Sequence, residues 1–524
     1  MQLCTPFVDS GTAGLTPAVQ IQLNEVAYLT DRSCILGIDI GTTSAKAVVF
    51  QENGKVLAKS EAQLELIIQG EAEYEQDPYQ VDEKITGVIL NTLYTVKQNG
   101  YSVRLVSFSA AMHSLLPVNE DGTPLHHALT WLDGRAHREA EKIWQTKEGR
   151  QVYGQTGTPI HAMSPMVKLV WLKNEKPDIF FAASKFVSLK EWIWHKWFGV
   201  WEVDESIASA SGLLNLTTRQ WDDDALAFAH IKTSQLSQVV PTTFVRQNCL
   251  DTRLVGAEIS SQTRFTIGAS DGVLASLGVG AVRNGVLALT MGTSIAVRMV
   301  SHTAQTYDEI RSFCYILDQN RYIIGAPSNS GGIILSWLHN QLTRFPASIE
   351  DTIRQAESVD AENLYCLPYI SGERAPLWNS ESRASFVGLS LQHSGVHMMK
   401  AAIEGVLFNA YWISSDLFAK VGKPELLIVS GKLFEVTWVR QLVADIFNIP
   451  VQVNTVADAA IQGAVSLAMS ANPRTASENN PTDDATISDK DRDHKEVVLP
   501  KQHHKYALKF QEFHRLASLL YQLS

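Results

Sequence analysis

Long apolar runs are missing from this chain of 524 residues. No uncharged stretch approaches the roughly 20 residues a spanning helix needs, so no membrane helix and no membrane partner are expected. Cysteine is scarce as well. Cys4, Cys34, Cys249, Cys314 and Cys366 are scattered, odd in number and lack the paired spacing of a metal site or disulfide scaffold. Reduced, mostly buried thiols and a cytoplasmic setting follow from that usage. Positive charge is in deficit: 44 Lys and Arg against 55 Asp and Glu leave a net charge of −11. That balance argues against nucleic acid as the main ligand but leaves room for small anions, which need only a few local donors. No solenoid period is visible. The first thirty-odd residues carry Asp9, Glu25 and Asp31 and lack the basic-then-apolar layout of a secretion signal. Residues 1–33 therefore read as an extension before the first domain.

What the chain does have is core material, 45% hydrophobic residues, in a length that exceeds one core. Two domains are expected. The most informative stretch runs from Ile35 to Phe50: an apolar strand into Asp39, a turn through Gly41, Thr42, Thr43 and Ser44, and an exit strand carrying Lys46. Such a turn offers backbone N–H groups, three hydroxyls and an ammonium to phosphate oxygens, while Asp39 can hold the accompanying cation. The plainer reading of Asp39 is a turn residue satisfying local N–H groups. A second turn of the same kind, Gly292-Thr293-Ser294, lies between strand-like runs beginning near Leu287. Two such hairpins on one chain resemble the duplicated ATPase core shared by sugar kinases, actin and chaperone ATPases.

Strands and helices alternate, which indicates an α/β architecture. Val103–Ala110 is a buried-strand pattern leading into Met112-His113, and Ala128–Trp131 leads into Asp133 and Arg135. Strand ends of this kind are where ligands bind in α/β sheets. The aromatic stretch with Trp192, Trp194, Trp197 and Phe198 spreads around a helix axis and reads as core. Gly268-Ala269-Ser270-Asp271-Gly272 opens a small-residue helix, and the domain boundary is expected near 281, dividing 34–280 from 281–524. Helices are expected over 331–342, 348–358, 397–418, 436–447 and from 506 onward. Residues 470–495, rich in Asn, Asp, Ser, Pro and Thr, read as a mobile surface insertion.

The motifs taken together resemble the FGGY family of carbohydrate kinases from about Cys34 to Met469. Met163–Glu175 fits the family's first signature; Ala384–Leu389 with His397–Glu404 fits the second. Within the family the likeness is to bacterial gluconate kinases, on Ser109–Ser114, Tyr153–His161, Pro241-Thr242-Thr243, Gly268–Ala275 and Gly372–Asn379. The resemblance implies a two-domain actin/hexokinase-like fold, a duplicated ribonuclease H-like core with a cleft between the halves. It implies ATP and Mg²⁺, the cation on Asp39, and a sugar acid, D-gluconate first, phosphorylated on its terminal hydroxyl. Asp271 is then the general base, with a helix N-cap as its bland alternative. Thr42, Thr43, Ser44 and Lys46 face the transferred phosphate; Gly292, Thr293 and Ser294 face the nucleotide phosphates.

The nucleotide's sugar and base fall to Gly332, Ser336 and Gly431. Lys432 stands where the family usually has another glycine, and either reaches a phosphate or faces solvent. Met112, His113, Trp131 and Asp133 are the expected sugar ligands. Arg135 and Arg374 are the candidates for the acid's carboxylate, because Arg pairs with carboxylates bidentately. A kinase for another polyol or ketose such as xylulose, and a non-catalytic nucleotide-switched binder on the same core, are the alternatives. The oligomeric state is open, a homodimer being one possibility.

Overall fold

The structure, a computed structural model, describes residues 32–70, 72–341, 348–454, 456–472 and 496–522. Of the extension expected over 1–33, residues 1–31 lie outside the described residues, as does most of the insertion expected over 470–495; Ser33 already belongs to the first strand.

The first sheet forms around a strand whose apolar run is buried almost throughout, Ser33–Ile40 (β1). A strand with Ile35, Leu36, Ile38 and Ile40 all inside must be covered on both faces, as the centre of an α/β sheet is. β1 pairs antiparallel with Ser44–Gln51 (β2), and β2 antiparallel with Val56–Gln63 (β3). On its other side β1 runs parallel to Ser102–Ala110 (β4). β4 runs parallel to Arg264–Ser270 (β6), and Val245–Arg246 (β5) closes that edge antiparallel.

The second sheet repeats this order. Val286–Met291 (β7) pairs antiparallel with Ile295–Ser301 (β8), which pairs antiparallel with Tyr322–Ser328 (β10). β7 runs parallel to Leu426–Ser430 (β11), β11 parallel to Val451–Val453 (β12), and Val497–Val498 (β13) closes the edge antiparallel. Only Phe313–Ile316 (β9), beyond β10, has no counterpart in the first sheet. Each half is thus an antiparallel meander followed by two parallel strands, so the duplicated core expected from the two turns is present. The turns occupy the same place in each sheet, between the first and second strands of the meander.

Helices cover the sheets. Pro78–Gln98 (α1) starts cleanly: Asp77 caps it by accepting the Tyr79 N–H, and Pro78 sits at the first helical position, where its missing donor is not needed. Its buried face, including Val81, Ile85, Ile89 and Leu93, packs on the first sheet. The stretch with four aromatics, Leu189–Phe198 (α3), is core as expected: Trp194 and Trp197 meet Phe108 edge-on or tilted at 5.6 and 5.3 Å. Pro165–Glu175 (α2) precedes it in the same half. Further on come Asp271–Gly278 (α4), Gly332–Gln341 (α5), Gly395–Val421 (α6), Thr437–Phe447 (α7), Ala459–Ala471 (α8) and His503–Gln522 (α9). No described helix is long and apolar enough to cross a membrane. Cys34, Cys249, Cys314 and Cys366 are free and buried.

One element departs from a simple division at 281. α8 lies late in the chain but packs on the first sheet, where Ile461, Val465 and Ala468 meet Ile35, Val48, Phe50 and Leu105. It also crosses α4 at very short range. A Cβ on Gly463 would stand 2.0 Å from the Leu274 carbonyl oxygen, and one on Gly278 1.9 Å from that of Ala459. Only hydrogen at both positions lets the two backbones approach so closely. The helix that follows the last parallel strand of each sheet therefore meets its counterpart at the seam between the halves.

Candidate active site

A cavity of about 190 Å³ opens between the two sheets. Its walls come from both halves: Met112, His113, Trp131 and Asp271 from the first; Ser294, Arg298, Tyr315 and Arg374 from the second. Of the residues expected from the sequence, Met112, His113, Trp131, Asp271, Ser294 and Arg374 line it.

Asp271 reaches the cavity because of a local backbone distortion. Gly268 adopts φ +73°, where a Cβ would collide with the Phe108 carbonyl oxygen at 1.9 Å, and the β6–β4 register slips between Thr266 and Ala269. Glycine at that bulge lets β6 turn out of the sheet, so Ser270 becomes the cap and Asp271 the first residue of α4. The N-cap reading of Asp271 is thereby displaced by one residue. The Asp271 Oδ1 accepts the Gly272 N–H at 2.6 Å. Burial raises its carboxyl above the ordinary range, opposed by that N–H and by the charge of Arg298. A half-buried carboxylate at a helix start, on the wall of a cavity, is placed to accept a hydroxyl proton.

The cavity wall of the first half is held by a buried cation. Lys168, on α2, donates to the carbonyls of His113 at 2.7 Å and Thr130 at 2.6 Å. Its ammonium is pushed down to about 7 by burial. His113 sits at φ +68°, and its Nδ1–H donates to the Ala210 carbonyl at 2.7 Å. That tautomer leaves Nε2 as the acceptor facing the Tyr315 hydroxyl at 3.4 Å. Burial keeps the ring neutral, with its pKa lowered to about 3.

Asp133 and Arg135 do not face the cavity. The Arg135 guanidinium is held by Asp133, by Glu73 at 2.6 Å and by Glu75 at 2.5 Å, and it lies over the Trp171 ring. Asp133 in turn accepts the Tyr74 N–H. With every nitrogen of Arg135 already on a carboxylate, the expectation that it binds the substrate's carboxylate is corrected: this is an internal ion cluster. Arg374 does line the cavity, but its Nε donates to Asn329 Oδ1 at 2.7 Å, its Nη2 to the Ser328 carbonyl, and its Nη1 contacts the Met163 sulfur. The sequence reading missed Arg298 on β8, which lines the same cavity with a single hydrogen bond, Nη1 to Thr290 Oγ1 at 3.2 Å. It also missed the aromatic floor of Phe313 and Tyr315. No local signal marks an arginine in a strand or an aromatic in a β-hairpin as a ligand.

In the turn between β1 and β2, Thr42 Oγ1 accepts the Trp131 indole N–H at 3.0 Å. Gln76 donates to the Thr42 carbonyl, and the Gly41 N–H donates to the Ser44 carbonyl at 3.0 Å. Thr43 is exposed at the tip. Lys46 does not stand free: it pairs with Asp458 at 3.3 Å and Glu61 at 3.7 Å. Across the cleft Gly292 and Thr293 are exposed and Ser294 is half-buried. The start of α5 docks directly on this turn, the Gly332 N–H donating to the Gly292 carbonyl at 2.8 Å. Ser336, one turn along α5, is exposed, as are Gly431 and Lys432 at the end of β11. Gly431 is required there: at φ +125° its Cβ would lie 2.0 Å from the Met291 carbonyl oxygen.

Asp39 fits a divalent cation. Its Oδ1 accepts the Ser109 hydroxyl at 2.6 Å, and burial raises its carboxyl to about 7, with Asp271 and Asp458 adding to the rise. A carboxylate so placed beside other acids gains from a cation. Among the described residues no three His, Cys, Asp or Glu side chains gather into a metal site. One carboxylate completed by phosphate oxygens and water is a donor set that suits Mg²⁺.

Comparison with known proteins agrees with this geometry. Residues 34–278 match the N-terminal domain, and residues 287–472 the C-terminal domain, of the FGGY family of carbohydrate kinases. A gluconokinase of Bacillus licheniformis is 40% identical over 451 residues, 83% of this chain and 87% of that protein. Two solved chains from Lactobacillus acidophilus, one a gluconate kinase and one a ligand-bound xylulose kinase, each superpose with TM-score 0.85 at 31% identity. Each comparison covers 93% of this chain and 98% of the other. With both family domains matched in order on a duplicated α/β core, this chain belongs to the FGGY carbohydrate kinases.

Proposed function

We propose that this protein transfers the γ-phosphoryl group of Mg·ATP to the terminal hydroxyl of a sugar acid, D-gluconate being the substrate of choice. The observation that carries the reading is the position of Asp271: a carboxylate on the wall of a small cavity lined from both halves, with Ser294 of the second turn on the same wall. The 40% identity to a gluconokinase over most of both chains supports the acid.

In this reading Asp271 accepts the proton of the acceptor hydroxyl as the oxygen attacks phosphorus, and the Gly272 N–H keeps the carboxylate oriented. Phosphoryl transfer asks for positioning and charge stabilisation more than for covalent chemistry. The turn at Thr42, Thr43 and Ser44 supplies donors to the transferred group; the turn at Gly292, Thr293 and Ser294 supplies them to the nucleotide phosphates. Gly332, Ser336 and Gly431 border the nucleoside, with Lys432 at its rim. Asp39 would hold Mg²⁺, which would supply charge neutralisation at the phosphates. Met112, neutral His113 and Trp131 bind the sugar hydroxyls. An enzyme consuming ATP with reduced cysteines works in the cytoplasm.

A pentulose substrate is the second reading, favoured by the equal likeness to the chain solved as xylulose kinase. ADP release measured over sugar acids, polyols and pentuloses with Mg·ATP separates the two. Gluconate is expected to give the highest kcat/KM; a preference for xylulose or glycerol would overturn the assignment.

A further inference from the structure

Three arginines lie at or near the sugar pocket, and hydrogen-bond accounting separates them. Arg135 has all its nitrogens on Asp133, Glu73 and Glu75. Each nitrogen of Arg374 has a partner in Asn329, Ser328 or Met163. Arg298 has committed only Nη1, to Thr290. Its Nε and Nη2 have no hydrogen-bond partner among the described residues, and no ion pair among them holds the guanidinium, whose one acidic neighbour in electrostatic reach is Asp271.

Those two nitrogens form the edge that grips a carboxylate through two parallel N–H···O bonds. They lie beside Gly272: a Cβ there would stand 3.2 Å from Nη2 and 3.4 Å from Nε. Glycine next to Asp271 thus leaves room for the guanidinium at the cavity wall. The walls nearby include Phe313 and Ile323, so burial leaves the charge poorly solvated; the Asp271 carboxylate offsets that only in part, and a bound anion would relieve it further. Arg298 comes from β8 of the second half, and Asp271 from α4 of the first, so the two groups face one ligand across the cleft.

We propose that Arg298, through its Nε and Nη2 edge, binds the carboxylate of the sugar acid and sets the preference for acids over neutral polyols. The inference rests on the sugar-acid reading above and names the residue that would enforce it. It takes the carboxylate role from Arg135 and Arg374, which hold protein groups instead. Arginine suits the task better than lysine, because a point charge lacks the planar two-donor edge.

The test compares D-gluconate with D-glucitol, its neutral counterpart, in the wild type, Arg298→Met and Arg298→Lys. Kinetics are measured with Mg·ATP, and equilibrium binding of each ligand by tryptophan fluorescence. In Arg298→Met, kcat/KM and affinity for gluconate should fall roughly 100-fold, the size of a charge-assisted pair. The glucitol values should move less than threefold, and Arg298→Lys should recover part of the gluconate loss. Equal losses on both ligands would overturn the proposal and assign Arg298 to the phosphoryl group, and unchanged gluconate affinity would also overturn it. A wild type that binds and phosphorylates no sugar acid would sink the functional reading itself, a result visible before any variant is made.

Discussion

The indole N–H of Trp131 donates to the Thr42 hydroxyl at 3.0 Å, joining the cavity wall to the turn between β1 and β2. Trp131 closes a strand end beside the cavity, and Thr42 lies in the turn proposed to face the transferred group. In the proposed reading the bond couples the sugar's place to that of the transferred phosphate.

A double-mutant cycle measures that coupling. A net hydrogen bond is worth about 1 kcal/mol, so Trp131→Phe and Thr42→Val should each lower kcat/KM roughly fivefold. The double variant should lose little more than either single one, because both remove the same bond. Fully additive losses would mean that the two side chains act separately.

Arg135 offers a contrast between structure and substrate. Removing it leaves Asp133 and Glu75, both buried, without their cation. Arg135→Met should cost about 3–5 kcal/mol of stability in denaturant unfolding. The KM for gluconate of the folded fraction should stay within about threefold of wild type, since the guanidinium holds no cavity ligand. A large KM rise with unchanged stability would restore Arg135 to the substrate site.

Asp39 gives the site a pH dependence with a definite sign. Its folded-state pKa is raised from 3.8 to about 7, chiefly by burial. Between those values the unfolded chain has already lost the proton that the folded, cation-free protein keeps. Stability of the metal-free protein should therefore decline from about pH 4 to pH 7 through this group, then level off. Mg·ATP competes with the same proton, so its affinity should weaken as pH falls through 7. Asp39→Asn should flatten both profiles. A wild-type Mg·ATP affinity constant from pH 8 to pH 6, with ATP's own titration corrected, would count against the cation role.

Much of this architecture was legible because turns advertise themselves. Gly41 to Ser44 and Gly292 to Ser294 are local arrangements whose backbone chemistry is written in consecutive residues. The same holds for Asp271, which sits between two glycines at a strand-to-helix switch. Arg298 was not legible for the opposite reason. It is one cation on an ordinary alternating strand, and only the pairing of β8 beneath Thr290 and the crossing of α4 bring it to Asp271.

α8 escaped the linear reading in the same way. Ile461, Val465 and Ala468 form a generic apolar face, and nothing local says that it returns to the first sheet. Arg135 and Lys46 were readable as cations but not as satisfied ones: their carboxylate partners Glu73, Glu75 and Asp458 come from the approach of separate segments.

Asp271 as the proton acceptor is the centre of the proposed mechanism, and single-turnover kinetics of Asp271→Asn test it most directly. Asparagine keeps the shape and the helix start but cannot take a proton at neutral pH. Phosphoryl transfer should slow by at least about 10²–10⁴-fold, the range of general-base catalysis. ATP affinity should remain within about twofold of wild type. A variant that binds both ligands and transfers phosphate at a near-normal rate would contradict the mechanism.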